Sequence, residues 1–231
     1  MLKIKFRAFR AVDEPKLCEK FIEGHRKVLE IYDIAMITSN KALWMTHANT
    51  YVILAEDEDS GKALGGARLQ IADDILSLPI QEAVGQVDSK IYEVVSQRRA
   101  QGTGEVCGLW NSREIAGFGV GSIFLTRAVI AIAFHKHLGS LLALCAPATV
   151  KVASRAGFEI ERSLGKDGFF NYPKINLVAT AMVIDNLYHL EKARPGDRDS
   201  IMDLIHNQVQ IRVERGPKGK VEIDYQLALT S

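Results

Sequence analysis

Three glycines alternate in the middle of the chain, at positions 117, 119 and 121, directly before an apolar stretch that reaches residue 138. Glycine lacks a Cβ, so the backbone N–H groups of Gly117, Gly119 and Gly121 can approach a ligand closely. The apolar stretch predicts a helix that begins near Val120 and points the positive end of its dipole at the same place. The segment therefore predicts an anion site for a phosphate-bearing ligand, with a glycine-rich turn that binds nothing as the alternative.

Two common phosphate-binding motifs do not fit this loop. A P-loop requires Gly-Lys followed by Ser or Thr, and no such sequence follows the glycines. A dinucleotide-binding fingerprint requires a third glycine at the position that Ser122 occupies. The loop is therefore expected to belong to a different phosphate-binding fold.

The elements that lead to this loop alternate between strand and helix. Residues 2–9 alternate in polarity like a half-buried strand, and residues 13–32 carry apolar side chains at helical spacing. Residues 51–55 and 64–71 are rich in β-forming residues and are joined by a turn-forming DEDSGK segment, which predicts a hairpin. A helix is predicted over 78–101.

The second half continues this alternation around the glycines. Glu105 opens the strand that leads into the loop, and an all-apolar run at 141–145 suits a central strand. A short helix ending near residue 156 separates this run from a strand at 158–164, and residues 175–184 predict one more strand. The order indicates an α/β domain with a mixed central sheet flanked by helices.

The last part of the chain departs from this alternation. Residues 193–205 predict a short helix, and the sequence alternates in polarity on both sides of a Gly-Pro-Lys-Gly turn, which predicts a β-hairpin. An isolated ribbon is marginal in water, so the hairpin must pack on the same domain or be exchanged with a second subunit. We predict a domain at 1–185 and a helix-hairpin extension at 186–231, with a homodimer through the hairpin as the second arrangement.

The composition narrows the class of partner. Of the 231 residues, 47% are apolar and 25% charged, which is typical of a globular protein with a sizeable core. A formal net charge of +1 without a Lys/Arg-rich tract disfavours a nucleic-acid partner. Three separate cysteines favour a reduced compartment, and neither a membrane span nor a secretory leader is predicted, so we expect a cytoplasmic protein. No motif has metal-ligand spacing, so no metal is predicted.

The glycine loop reads G-x-G-x-G-S and resembles the acyl-donor loop of the GNAT superfamily of N-acyltransferases. The order of elements over residues 2–185 is also similar to that of a GNAT domain. The resemblance implies a donor such as acetyl-CoA or acyl-CoA, or another phosphopantetheine thioester, and direct attack by the amine of a small molecule or peptide. The residues that would hold the donor phosphates are Gly117, Phe118, Gly119, Val120, Gly121 and Ser122.

The same resemblance assigns roles to the strand before the loop. Several GNAT acetyltransferases keep a glutamate at the place of Glu105, where it is the general base, directly or through water. Backbone N–H groups around Leu109 and Trp110 would face the thioester carbonyl if the strand carries the family's bulge. The alternative for Glu105 is a solvated side chain at a strand end.

Two positions depart from the family's pattern. Many members place a tyrosine four residues before the glycine of a G-F motif, and here Ala153 stands at that place. Ser154 is then the nearest candidate acid, with a helix-surface serine as the alternative. The Gln or Arg that usually precedes the first glycine is replaced by Ala116. Arg113 is a substitute through a bidentate phosphate contact, and its alternative is a solvated loop arginine.

The acyl-homoserine-lactone (autoinducer) synthases and related N-acyl amino acid synthases also lack that tyrosine. The segments GGARLQ, LPIQEAV, EVCGLW and RAGFEIERSLG resemble segments of that branch, although Cys107 and Gly108 replace the serine and arginine of its E-x-S-R motif. The resemblance implies that Arg68 binds an acceptor carboxylate, with a solvated strand arginine as the alternative. It also implies that acyl carrier protein is an alternative donor. Trp44 is a candidate for lining an acceptor or acyl pocket, with core packing as its alternative.

The sequence therefore predicts an N-acyltransferase that moves an acyl group from a phosphopantetheine thioester to an amine. One alternative is an autoinducer-synthase-like enzyme that takes long-chain acyl groups from acyl carrier protein. An alternative of another class is a non-catalytic GNAT domain that binds an acyl thioester as a sensor or partner module.

Overall fold

The computed structural model describes residues 1–32, 34, 42–174 and 176–229. These residues form one ten-stranded sheet with the order β6-β8-β5-β4-β3-β2-β1-β10-β9, and β7 pairs beside β8. The strands are β1 (Leu2–Arg10), β2 (Thr50–Asp57), β3 (Ala63–Ile71), β4 (Thr103–Asn111), β5 (Ser140–Cys145), β6 (Glu159–Ile160), β7 (Phe169–Asn171), β8 (Val178–Ile184), β9 (Val209–Gly216) and β10 (Gly219–Gln226). The α-helices are α1 (Pro15–Ile31), α2 (Pro79–Val84), α3 (Lys90–Arg99), α4 (Leu125–His135), α5 (Pro147–Arg155) and α6 (Pro195–His206).

Alternating side chains of β2 show how helices cover both faces of the sheet. Tyr51 and Ile53 belong to the core that contains α4, whereas Val52 and Leu54 pack with Phe21 of α1 on the opposite face. Because α4 lies against the sheet on one side and α6 on the other, nearly all of its side chains are buried. The mixed sheet flanked by helices that the sequence predicts is confirmed.

The helix predicted over 78–101 is wrong in its middle, where a turn separates α2 from α3. Gly85 caps the end of α2 and donates its N–H to the carbonyl oxygen of Gln81 (2.9 Å). The Asp88 carboxylate then accepts a hydrogen bond from the N–H of Lys90 (3.0 Å), where α3 begins. Local side-chain capping thus offers the chain an alternative to a continuous helix.

Two predicted strands are shorter than expected. The strand predicted at 158–164 pairs only over Glu159–Ile160, because the chain turns at Gly165 and returns as β7. Of the strand predicted at 175–184, residue 175 lies outside the described residues, and pairing begins at Val178.

The centre of the sheet opens between β4 and β5. These two strands pair in parallel only over Thr103–Glu105 on β4, so their described residues are unpaired with each other beyond Glu105. On its other side β4 stays paired with β3, but between Cys107 and Trp110 it contains one residue more than β3 does between Arg68 and Gly66. This is a β-bulge, a feature that bends a strand locally, and it lies in the part of β4 that is not paired with β5.

The C-terminal extension continues the sheet at the β1 edge. Strand β10 pairs in parallel with β1, from Leu2 opposite Val221 to Arg7 opposite Gln226. The hairpin therefore packs on the same domain, which is one of the two predicted arrangements. The division of the chain into two units at residue 185 stays a prediction. The outer edge of β9 has no neighbouring strand among the described residues and exposes Val209, Ile211 and Val213. The homodimer through this hairpin also stays a prediction.

A buried charge cluster joins the extension to α4. Arg127 of α4 donates to Asp197 of α6 (Nη2 to Oδ1, 2.5 Å) and contacts Glu214 of β9 (Nη1 to Oε2, 3.4 Å). Arg155 of α5 reaches the same Asp197 carboxylate (Nε to Oδ2, 3.0 Å). Arg127, Asp197 and Glu214 are all buried. Their charges compensate one another in an interior where an unpaired charge would be costly.

Candidate functional site

A cavity of about 260 Å³ lies where β4 and β5 diverge. Its wall is mostly apolar and comes from α1, β4, β5, α5 and the segment before β8. The side chains with polar atoms that border it are His25, Glu105, Cys107, Thr126, Cys145, Thr149 and Tyr172. A concave, largely apolar site with a few polar groups is typical of a small-molecule site.

Glu105 lies at the point where the two strands separate. It is the last residue of β4 that pairs with β5, and its carboxylate borders the cavity although it is almost fully buried. Its Oε2 accepts a hydrogen bond from the backbone N–H of Ile80 (2.7 Å). Burial raises the pKa of Glu105 from 4.5 to about 8, while this hydrogen bond and the charge of Arg68 act in the opposite direction. The carboxyl is therefore not the solvated group of the alternative interpretation.

Arg68 and Trp44 lie together beside the cavity. Arg68 is opposite Cys107 across the β3–β4 pair, and its guanidinium lies over the Trp44 ring, 4.6 Å from the centroid. Both side chains are buried and line a small crevice of about 20 Å³ that also includes Pro79. Pro79 borders the main cavity as well, so the crevice and the cavity are neighbours.

Strand β4 carries the bulge on which the expected role of the Leu109 and Trp110 N–H groups depended, and Gly108 lies in it. Its φ of +57° lies in the left-handed region, which a residue with a side chain adopts only with strain. Leu109 borders the cavity, whereas the Trp110 side chain packs on α1, where a Cβ on Gly24 would come within 2.1 Å of the indole.

The glycine loop follows β4 at the open end of the sheet. Gly117 and Gly119 both have a φ of +87°, and Gly121 packs so closely on Asn111 that a Cβ would lie 2.2 Å from it. A π-helical turn from Val120 to Phe124 leads into α4, so a helical segment begins at the predicted residue. The Ser122 hydroxyl donates to the carbonyl oxygen of Gly119 (3.1 Å).

The turn of the C-terminal hairpin lies directly on this loop. The backbone N–H of Lys218 donates to the carbonyl oxygen of Gly117 (2.9 Å), and the Lys218 methylene groups cover the Cα of Gly117. A Cβ on Gly216 would lie 2.1 Å from the carbonyl oxygen of Phe118, so only glycine allows this approach. The extension therefore supports the loop and places an exposed lysine beside it.

Of the predicted site residues, Glu105 and Leu109 belong to the cavity wall, whereas the glycine loop does not, and neither do Arg113 and Ser154. Arg113 is exposed in a short helical turn after β4 and borders a separate cleft of about 520 Å³ beside α1. Ser154 is exposed on α5 and is not part of the cavity wall, although its neighbour Ala153 is. The geometry gives no support to Ser154 as the acid. Tyr172, from the segment between β7 and β8, brings a phenol to the wall that Ala153 lines.

Sequence reasoning missed His25 and Tyr172. Neither belongs to a motif, and both reach the cavity from segments far from the glycine loop in sequence. Among the described residues no group of three or more His, Cys, Asp and Glu side chains could hold a metal ion. No described helix combines the length and apolar character that a membrane crossing requires.

No protein-family model matches the sequence, and a search of curated proteins found no match. Solved structures do match. FeeM, an N-acyl amino acid synthase from uncultured soil microbes, aligns at 14% identity over 86% of this chain and 99% of its own, with a TM-score of 0.63. BjaI, a CoA-dependent acyl-homoserine lactone synthase, aligns at 16% identity over 96% of this chain and 94% of its own (TM-score 0.51). An acyl-CoA N-acyltransferase from Pseudomonas aeruginosa aligns at 13% identity over 78% of this chain and 98% of its own (TM-score 0.53). The chain therefore has the acyl-CoA N-acyltransferase (GNAT) fold, as predicted.

Proposed function

We propose that this protein is an N-acyltransferase that moves an acyl group from a phosphopantetheine thioester to the amine of a small molecule or peptide. The observation that carries the proposal is the place of Glu105: a buried carboxyl with a raised pKa, at the divergence of β4 and β5, on the wall of an apolar cavity. The glycine loop lies at the open end of the same strand. A thioester chain in the cavity would place its phosphates toward this loop.

The proposed reaction is a direct transfer. The amine nitrogen attacks the thioester carbonyl carbon, the C–N bond forms, and the C–S bond breaks. Ionised Glu105 takes the proton that the nitrogen loses, and this proton is then available to the departing thiolate. Backbone N–H groups of the β4 bulge around Leu109 stabilise the oxyanion.

A covalent acyl-cysteine is not part of this mechanism. Burial raises the pKa of the Cys107 thiol to about 12 and that of Cys145 to about 11, and the charge of Arg68 only partly offsets this at Cys107. Both cysteines therefore stay protonated near neutral pH, and the thiolate is the nucleophilic form. Tyr172 is the candidate to hydrogen-bond the departing thiolate, in place of Ser154.

Donor binding is tested first by thermal unfolding with coenzyme A, short- and long-chain acyl-CoA, and acylated carrier protein. A ligand at 100 times its dissociation constant adds about 2.7 kcal/mol to the free energy of unfolding. For a domain of this size we expect a midpoint increase of about 5 to 10 °C. No shift with any of these donors would contradict the proposed site.

The exposed Lys218 is proposed to contact the donor phosphates and to replace the basic residue missing at Ala116. No ion pair with Lys218 occurs within the described part of the chain. We expect Lys218→Ala to weaken coenzyme A binding roughly 10- to 150-fold, the effect of one lost charge-assisted hydrogen bond. Calorimetric titration measures this effect, and Lys220→Ala, an exposed lysine of the same hairpin, is the matched control. Equal affinities of the two variants would remove Lys218 from the site.

The structural similarity to FeeM and BjaI favours a narrower form of the proposed function, in which the acceptor is an amino acid or a related compound. FeeM is an N-acyl amino acid synthase, and BjaI is an acyl-homoserine lactone synthase. Arg68 beside Trp44 is the proposed partner of an acceptor carboxylate in such a version. Transfer to an amino acid from carrier protein alone would favour the autoinducer-synthase-like enzyme, and donor binding without transfer would favour the non-catalytic domain.

A further inference from the structure

His25 of α1 is a buried side chain on the wall of the proposed acyl-transfer cavity. Its residue is only 3% exposed, yet its ring borders the same cavity as Glu105. The imidazole is stacked on Trp110 (centroids 6.5 Å apart, planes 10° apart) and meets the edge of Phe21 (6.1 Å). The imidazole therefore packs between two aromatic side chains.

The imidazole has no hydrogen-bond partner among the described residues. Nδ1 of His25 is buried and unsatisfied. The other buried histidine, His47, is the opposite case: Nδ1 bonds with the Thr50 hydroxyl (2.9 Å) and Nε2 with the Asp73 carboxylate (2.7 Å). Buried polar atoms in folded proteins are nearly always satisfied, so the unsatisfied ring of His25 is an exception that requires an explanation.

The ring lies next to the bulge of β4. A Cβ built on Gly108 would be 4.0 Å from Cε1 of His25. The bulge is where the proposed function places the thioester carbonyl, so the imidazole is close to the site of attack. Burial, helped by the charge of Arg68, lowers the pKa of His25 to about 4. The ring is therefore neutral near pH 7 and has one nitrogen that can accept a hydrogen bond.

We propose that the His25 imidazole accepts a hydrogen bond from the amine of the acceptor substrate and holds its nitrogen at the β4 bulge. This inference rests on the proposed acyl transfer. Glu105 remains the base, because an imidazole whose pKa is lowered to about 4 is a weak proton acceptor at neutral pH. The ligand-free fold carries an unsatisfied group, and a bound amine satisfies it.

The test is His25→Phe, which keeps an aromatic ring against Phe21 and Trp110 but removes the hydrogen-bond acceptor. Because it also removes an unsatisfied buried atom, we expect an unchanged or higher thermal midpoint and unchanged affinity for coenzyme A. The kcat/KM for the amine should fall about 10- to 100-fold, mainly through KM, with acetyl-CoA as donor and butylamine and L-phenylalanine as amine probes.

Three further variants complete the test. His47→Phe removes a histidine whose two ring nitrogens are both hydrogen-bonded. It should therefore lower the thermal midpoint and leave the kcat/KM of the folded protein unchanged. His25→Asn and His25→Gln offer an amide oxygen near Nδ1 and Nε2, respectively, and one of them should recover part of the kcat/KM that His25→Phe loses. Their comparison identifies the accepting nitrogen.

Two results would overturn the assignment of His25. One is a lowered midpoint of His25→Phe with unchanged kinetic constants for the amine, which would make His25 a packing residue. The other is equally low kcat/KM for the Phe, Asn and Gln variants, because hydrogen-bond acceptance could not then explain the loss. Failure of the proposed function is distinguishable from both, since the wild-type protein would then show neither a midpoint shift with any of the donors nor acyl transfer.

Discussion

Glu105→Gln is expected to lower kcat about 10²- to 10⁴-fold, the usual contribution of a general base, without loss of the fold. The glutamine keeps a side-chain oxygen that accepts the hydrogen bond from Ile80 N–H, and it removes a carboxyl whose ionisation burial opposes. Steady-state kinetics measures the effect, with a donor that raises the thermal midpoint of the wild-type protein as substrate. The wild-type rate should rise with pH through about 8 as Glu105 ionises, and the variant should lack this rise.

The same substitution has a pH-dependent effect on stability with a definite sign. Between pH 4.5 and about 8 the unfolded chain has ionised Glu105 while the folded protein holds its proton. Below pH 4.5 the carboxyl is protonated in both states, and Glu105 makes its complete contribution to the free energy of unfolding. This contribution decreases as the pH rises and is lost by about pH 8. Glu105→Gln should gain in thermal midpoint relative to the wild type over that range.

Glu161→Gln is the control for the Glu105 variant. Glu161 is also a buried carboxylate, but it is paired with Arg98 (2.7 Å) and is not part of the cavity wall. We expect this substitution to reduce stability and to leave kcat unchanged. A Glu105→Gln enzyme with the wild-type rate and pH profile would refute the assignment of the base.

Arg127→Met is expected to lower the free energy of unfolding by about 1.5 to 3 kcal/mol, because Asp197 and Glu214 lose the charge-assisted contacts of their shared cation. The loss is limited because Asp197 keeps its ion pair with Arg155 and Glu214 keeps its ion pair with Arg212. Methionine preserves much of the aliphatic volume of arginine. The decrease in the free energy of unfolding is therefore due to the lost charge rather than to lost packing. Urea unfolding measures it, and the thermal midpoint should fall by roughly 3 to 12 °C. The cluster joins α4 to α6 and β9, so the loss measures how strongly the extension is coupled to the core.

The matched control is Lys3→Met, which removes an ion pair between β1 and Glu222 of β10. Lys3 is 53% exposed, and exposed pairs contribute less than about 1 kcal/mol. A similarly small effect of Arg127→Met would mean that the extension is held by strand pairing and apolar contacts alone. It would also remove the argument that the buried cluster couples the extension to the core.

Much of the architecture follows from local sequence, because local rules act within one element or one turn. The glycines at 117, 119 and 121 predict a loop whose backbone can approach a ligand closely, and in the structure two of the three have a φ of +87°. The β2–β3 and β9–β10 hairpins follow from alternating polarity on both sides of turn residues. The GNAT fold was recognisable from that loop and from the order of the elements. The break between α2 and α3 was not predicted, because a two-residue capping interaction of Asp88 competes with an otherwise helical sequence.

The tertiary structure alone decided which side chains meet. The bulge at Gly108 depends on pairing with β3, and the cavity depends on the point at which β4 and β5 separate. Neither the bulge nor the cavity produces a periodic pattern in the sequence from which it could be predicted. His25 reached the site only because α1 packs over β4, and the parallel pairing of β10 with β1 brought Lys218 to the glycine loop. The sequence alone determined the local backbone and the kind of loop, because these depend on near neighbours along the chain. The environment that raises the pKa of Glu105 and leaves His25 unsatisfied comes from residues far apart in sequence, so only the folded packing produced it.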